Sequence, residues 1–133
     1  MNKVLVISSG IYLRLRQIAD ASGTGVITEW LRKEHAARAK FKVRMSYLEK
    51  IPRTDLNKKQ FNYLEDGLSE IKWESDKKTW RAVGFDKDGF FVMVIGCSHK
   101  DGVYQPRDWL KTAKQRKKET LEGKWRIIDY VHA

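Results

Sequence analysis

The chain reads as a single α+β domain over residues 1–133: an N-terminal helical hairpin packed on a small antiparallel β-sheet, with a C-terminal helix. Three observations predict it. Residues 28–51 carry apolar side chains at helical spacings, whereas residues 69–97 alternate or run apolar between short turns. The length, 133 residues, is enough for one core and too little for two ordinary domains.

The elements follow in chain order. A short strand is expected over residues 3–7, and Tyr12-Leu13-Arg14-Leu15-Arg16-Gln17-Ile18 fits strand or helix equally. Ser22-Gly23-Thr24-Gly25 has the composition of a loop. A long helix then spans residues 28–51, with Thr28 as N-cap and Pro52 as its stop, since proline cannot continue the hydrogen-bond ladder. Trp30, Ala37, Phe41, Met45 and Leu48 make its buried stripe, while Arg32, Lys33, Lys40 and Arg44 fall largely off it, into solvent. A second helix over residues 54–66 turns Leu56, Tyr63 and Leu64 inward and stops at Gly67, closing the hairpin.

The middle of the chain changes period. In residues 69–74, Ile71 and Trp73 take one face and Glu70, Lys72 and Glu74 the other. Turns at residues 75–78 and 86–89 set off strands over 79–85 and 90–97, an antiparallel meander whose last strand is apolar enough to be central. Pro106 opens a helix over residues 106–121 that stops near Gly123. Beyond it, Trp125, Ile127, Ile128 and Tyr130 allow a final strand.

Composition narrows the function. No apolar run approaches the roughly 20 residues of a membrane-spanning helix. The apolar opening ends at Ser8-Ser9-Gly10 without a small-residue cleavage site, so no secretory leader is expected. The single cysteine, Cys97, cannot form an internal disulfide, and no Cys/His cluster has zinc spacing. A cytoplasmic protein without metal or other cofactor is expected. Lys and Arg number 27 against 17 Asp and Glu, a net charge of +10. Such an excess on a small domain attracts a polyanion, RNA or DNA first and an acidic protein second.

Several motifs are more particular. The run Leu64-Glu65-Asp66-Gly67-Leu68-Ser69-Glu70-Ile71-Lys72-Trp73 resembles the segment that leads into the sheet of RelE/HigB-like toxins, especially their phage-derived Gp49-like branch. Trp80-Arg81-Ala82-Val83 is similar to that family's aromatic-Arg-x-Val strand. The stretch from Phe90 through Cys97 to Ser98-His99-Lys100 resembles its apolar strand, with His99-Lys100 where the family has a Lys-Lys pair. Tyr104-Gln105-Pro106, then Ala113 and Arg116, resemble the following helix. The similarity spans about residues 26–118. It implies the toxin of a type II toxin–antitoxin system, cleaving mRNA, often on the ribosome, and neutralised by a helix-turn-helix antitoxin protein.

The chemistry can be stated independently. RNA carries its own nucleophile, the 2′-hydroxyl, so no metal-bound water is required. Fixed cations stabilise the phosphorane, and arginine suits this because its fork matches phosphate oxygens. A His, a Tyr or a Lys of lowered pKa can move the protons. Arg81 is the first candidate for the phosphate cation, its alternative being an ion pair with Glu70 or Glu74. Lys72 is the second, its alternative a cross-strand pair.

His99 suits proton transfer, because histidine is the side chain that most readily takes up and releases a proton near neutral pH. Lys100 is read as a phosphate contact, and Tyr104 as an acid or a base-stacking platform. Lys111, Lys114, Arg116, Lys117 and Lys118 form a basic helix face, either RNA-tracking or merely solvated. Tyr130 and His132 lie near the C-terminus, where some members of the family carry an active residue. Cys97, Trp109 and Trp125 read as core. Two other classes compete: a non-catalytic nucleic-acid-binding module on the same fold, and a phage or prophage interaction protein with an acidic partner.

Overall fold

Ten elements follow one another in the computed structural model, which describes residues 13–52 and 55–130. They are β1 (Leu15–Ala19), α1 (Val26–Lys33), α2 (His35–Leu48), β2 (Phe61–Tyr63), β3 (Leu68–Ser75), β4 (Lys78–Lys87), β5 (Phe90–Lys100), β6 (Val103–Gln105), α3 (Trp109–Leu121) and β7 (Arg126–Asp129). The strand expected over residues 3–7 lies outside the described residues.

The meander β3-β4-β5 forms as its turn chemistry dictates. Asp76-Lys77 and Asp88-Gly89 both take positive φ, the conformation that matches a two-residue hairpin to the twist of its strands. Asp101-Gly102 repeats the device and adds β6, a hairpin partner of β5 that the sequence reading missed. β5 is central, buried from Phe91 to Ser98. One of its edges is covered by β4. The other is shared by β1, parallel to Phe91–Met93, and β6, antiparallel to Ser98–Lys100. The order across the sheet is β2-β3-β4-β5-β1-β7, with β6 beside β5.

Helices cover both faces. On one, α1 and α2 bury Leu31, Ala37, Phe41, Met45 and Leu48 against Ile71, Trp73, Trp80, Ala82, Phe91 and Met93. Full burial of side chains the size of Phe41 or Met45 contributes about 1.5–3 kcal/mol each. Trp30 lies flat on Gly96, where an added Cβ would sit 2.2 Å from the indole, and meets Trp73 and Trp80 edge-on at 6.0 Å. On the other face, α3 brings Ala113, Trp109 and Leu110 onto Leu68, Val83, Phe85, Val92, Val94 and Ile95.

The expected fold is therefore corrected. The described residues form a seven-stranded mixed sheet between helices on both faces, not a helical hairpin on a small antiparallel sheet. The long helix over residues 28–51 is two helices broken at Glu34 (φ −109°, ψ 81°), with no proline or glycine to mark the break. The break lets α1 lie over β5 and α2 over β3. Thr28 is not the N-cap. Gln17 of β1 reaches over, and its Oε1 accepts from the N–H groups of Ile27 and Thr28 at 2.9 and 3.0 Å, satisfying donors that a helix start leaves open.

The second helix, over residues 54–66, is absent from the described residues 55–66. Asn57 begins a turn there: its Oδ1 accepts from the N–H of Lys59, and its carbonyl accepts from those of Gln60 and Phe61. Phe61 and Tyr63 then alternate along β2, and Phe61 packs edge-on against Phe91 at 5.3 Å. The last helix begins at Trp109, not Pro106. No helix among the described residues is long and apolar enough to cross a membrane.

Candidate functional site

α3 covers only one end of its face of the sheet. At the other end the same strands present polar groups in three cross-strand rows, all on that face by strand alternation. The inner row is Asn62, Glu70, Val83 and Ile95, the boundary with the covered end, since Val83 and Ile95 pack in the core with Ala113. The next is Lys72, Arg81 and Cys97, and the outermost is Glu74, Thr79, His99 and Tyr104.

Glu70 organises this end. Its side chain is 2% exposed, and burying the carboxylate without partners would cost several kcal/mol. Arg81 donates to it through Nη1 at 2.9 Å, Asn62 through Nδ2 at 3.2 Å, and Lys72 Nζ lies at 4.0 Å. Two cations on one carboxylate leave the cluster net positive. The Arg81 side chain is 14% exposed and Lys72 23%, so both still reach the surface. The guanidinium of Arg81 lies over the Tyr104 ring at 5.2 Å. Its buried Nε has no hydrogen-bond partner among the described residues. The planar guanidinium spends one Nη on Glu70 and carries further donors.

Aromatic stacking fixes the rim. His99 stacks on Tyr104 at 4.3 Å with planes 6° apart, and Tyr104 stacks in turn on Trp109 at 5.7 Å. The β5–β6 hairpin creates this column, because it pairs His99 with Tyr104 directly. Under Arg81, burial pushes the Cys97 thiol up to about 12, which suits a core residue and not a nucleophile.

Four of the five proposed site residues thus meet: Arg81, Lys72, His99 and Tyr104. Lys100 does not join them, since alternation turns it to the opposite face from His99, exposed at the strand end. Glu70 and Asn62 complete the cluster. Glu70 was legible as a same-face neighbour of Lys72, but Asn62 required knowing that residues 61–63 form a strand. Trp109 packs at the edge of the core and also ends the aromatic column.

The basic face of α3 divides. Arg116 donates through Nη1 to the Val94 carbonyl at 2.8 Å and lies over Trp125, and burial lowers its pKa. Lys114 pairs with Glu65 and with Asp66, and Lys117 donates to the Asp66 carbonyl. These three tie α3 to the sheet and to the β2–β3 turn, whereas Lys111 and Lys118 are exposed. Tyr130 lies on the far face, edge-on to Phe41 at 5.4 Å, and burial raises its pKa. His132 lies outside the described residues.

The family model for phage derived protein Gp49-like (DUF891) matches residues 29–118. The match runs from α1 to α3 and contains every residue of the polar cluster. Neither a curated protein nor a solved structure matches the chain.

Proposed function

The chain belongs to the phage-derived Gp49-like family, and from that premise we propose that it is a toxin of the type II toxin–antitoxin kind, acting as a metal-independent endoribonuclease on mRNA. The observation that carries the reading is the convergence of Arg81, Lys72, His99 and Tyr104 on one open end of a sheet face. The 2′-hydroxyl attacks the adjacent phosphorus, the 5′-oxygen leaves, and a 2′,3′-cyclic phosphate remains. Arg81 and Lys72 meet the negative charge that builds on the phosphorane oxygens, a contribution of about 3–4 kcal/mol for one well-placed donor. In this scheme His99 and Tyr104 take the proton from the 2′-hydroxyl and return one to the leaving oxygen. Glu70 touches no reacting atom in this scheme and holds Arg81 in place.

Catalysis on the ribosome and neutralisation by a helix-turn-helix antitoxin extend the same reading. The test is induced expression of wild type and Arg81→Ala in a bacterial host, with growth and mRNA 5′-ends mapped together. Wild type should halt growth and create new ends, and the variant should do neither while still accumulating. Unchanged transcripts with soluble wild type would retire the reading.

One observation favours a second reading. The ion pair between Arg81 and Glu70 occupies part of the cation, as a non-catalytic RNA-binding module would tolerate. That module would lose affinity on Arg81→Ala and would produce no RNA ends at all.

A further inference from the structure

A second feature adjoins the polar cluster and shares Lys72 and Arg81 with it. Among the described residues β2 pairs with β3 only at Ser69–Ile71, and none of them pairs with the edge of β3 beyond Lys72. A cleft of about 530 Å³ lies there, lined by Arg44, Asn57, Lys59, Gln60, Lys72, Trp73, Glu74, Thr79 and Arg81. A neighbouring cleft of about 460 Å³ shares Arg44, Gln60, Trp73 and Glu74 with it and continues along α2 past Lys40, Val43 and Tyr47. Together they make one groove from the face of α2 to Arg81.

Its chemistry is one-sided. Among the described residues, Lys40, Arg44, Lys59, Lys72 and Arg81 line it against a single acid, Glu74. Among the described residues, Lys40, Arg44 and Lys59 make no ion pair, in contrast to Lys114 on α3. Lys40, Arg44 and Tyr47 recur at i, i+4 and i+7, a second stripe on α2 that flanks its core stripe, roughly 90° around the helix, and is about 10 Å long. Tyr47 is 52% exposed and Val43 68%. Charged residues alone would fit any polyanion, but an exposed aromatic ring among unpaired cations fits a strand whose bases are unstacked.

We propose that this groove is a track for single-stranded RNA, with phosphates on Lys72, Lys59, Arg44 and Lys40 and an unpaired base on Tyr47, feeding the Arg81 site. The proposal rests on the RNA reading above and names its substrate as single-stranded RNA longer than the few nucleotides at the cluster. A duplex would present no free base to Tyr47.

The test is fluorescence anisotropy with a labelled 2′-O-methyl RNA of about twelve nucleotides, a length within the range such sites cover, alongside a trimer and a duplex. Arg44→Glu with Lys59→Glu should weaken binding of the long single strand at least tenfold. It should also lower the salt slope by about 1.4, two phosphate contacts at roughly 0.7 each. Tyr47→Ala should weaken it by about tenfold. Trimer binding should stay within about twofold in all of these variants. Lys124→Glu with Arg126→Glu, at the far edge of the sheet, is the matched control and should leave the long strand within about twofold.

Groove variants indistinguishable from the control, a duplex held as tightly as the single strand, or no RNA binding by wild type would each overturn the proposal. So would equal binding of a glutamate oligomer of the same charge together with a silent Tyr47→Ala, which would make the groove a site for acidic protein. Cleavage abolished by Arg81→Ala beside normal binding by the groove variants retires the track alone. A working track in a protein that never cleaves unmodified RNA retires the ribonuclease alone.

Discussion

The two ends of the α3 face of the sheet use the same strands and opposite chemistry. At the closed end, Leu68, Val83, Phe85, Val92 and Val94 lie under Ala113 and exclude water. At the open end, past a β-bulge at Val83/Gly84, the same face becomes Lys72, Arg81, His99 and Tyr104. The helix begins at Trp109, beside the aromatic column, and runs away from it. The closed end is built for stability and the open end for charge. Glu70 sits at their boundary, buried like the first and polar like the second.

That contrast can be broken from the closed side first. Ala113→Glu puts an unpaired carboxylate into the apolar end and should cost about 3–5 kcal/mol or unfold the domain, read as a lower urea midpoint. Thr79→Glu at the open end should stay within about 0.5 kcal/mol of wild type. Equal losses at both ends would contradict the division.

The boundary comes next. Arg81→Ala should cost about 3 kcal/mol of stability, because Glu70 keeps its burial and loses its 2.9 Å partner. Arg81→Met combined with Glu70→Leu removes both charges and should recover most of that loss. A double variant no more stable than the single one would mean that the pair is not what holds this end together.

The Cys97 thiol offers a pH test, since it lies at the open end but is buried. Its pKa is raised in the folded state, from an ordinary 9.0 to about 12, so the folded protein holds its proton longer than the unfolded chain. The contribution is fully present below pH 9 and is lost as pH rises toward 12. Over that window wild type should lose up to about 1.4 kcal/mol per pH unit relative to Cys97→Ala. Parallel stability curves for the two proteins would place the thiol in solvent.

The smallest effect concerns a turn. Lys77 holds φ +62° in the hairpin after Asp76, at a cost of about 1 kcal/mol for a residue with a Cβ. Lys77→Gly should return about 0.5–1 kcal/mol, seen as a higher denaturation midpoint and unchanged RNA affinity.

The legible and illegible parts of this molecule divide along physical lines. The β3-β4-β5 meander was readable because Asp76-Lys77 and Asp88-Gly89 mark local turns between alternating runs. Arg81 and Lys72 could be placed on one face from alternation alone. The break at Glu34 was not readable, because tertiary packing of α1 on β5 and of α2 on β3 imposes it. Residues 54–66 were misread because Leu56, Tyr63 and Leu64 also fit a helical stripe, and only pairing with β3 chooses the strand. The parallel partnership of β1 with β5 depends on residues some 75 positions apart (Leu15 with Phe91), beyond any local signal. Lys100 is a different case: alternation from His99 already argued against grouping the two.

The most direct measurement of the central claim is cleavage of a defined RNA by the purified protein in EDTA, with the ends of the products identified. The account predicts 2′,3′-cyclic phosphate and 5′-hydroxyl ends, no cleavage where the scissile nucleotide is 2′-deoxy, and at least a hundredfold loss with Arg81→Ala. Cleavage that persists at the 2′-deoxy position, or that is indifferent to Arg81, would contradict it.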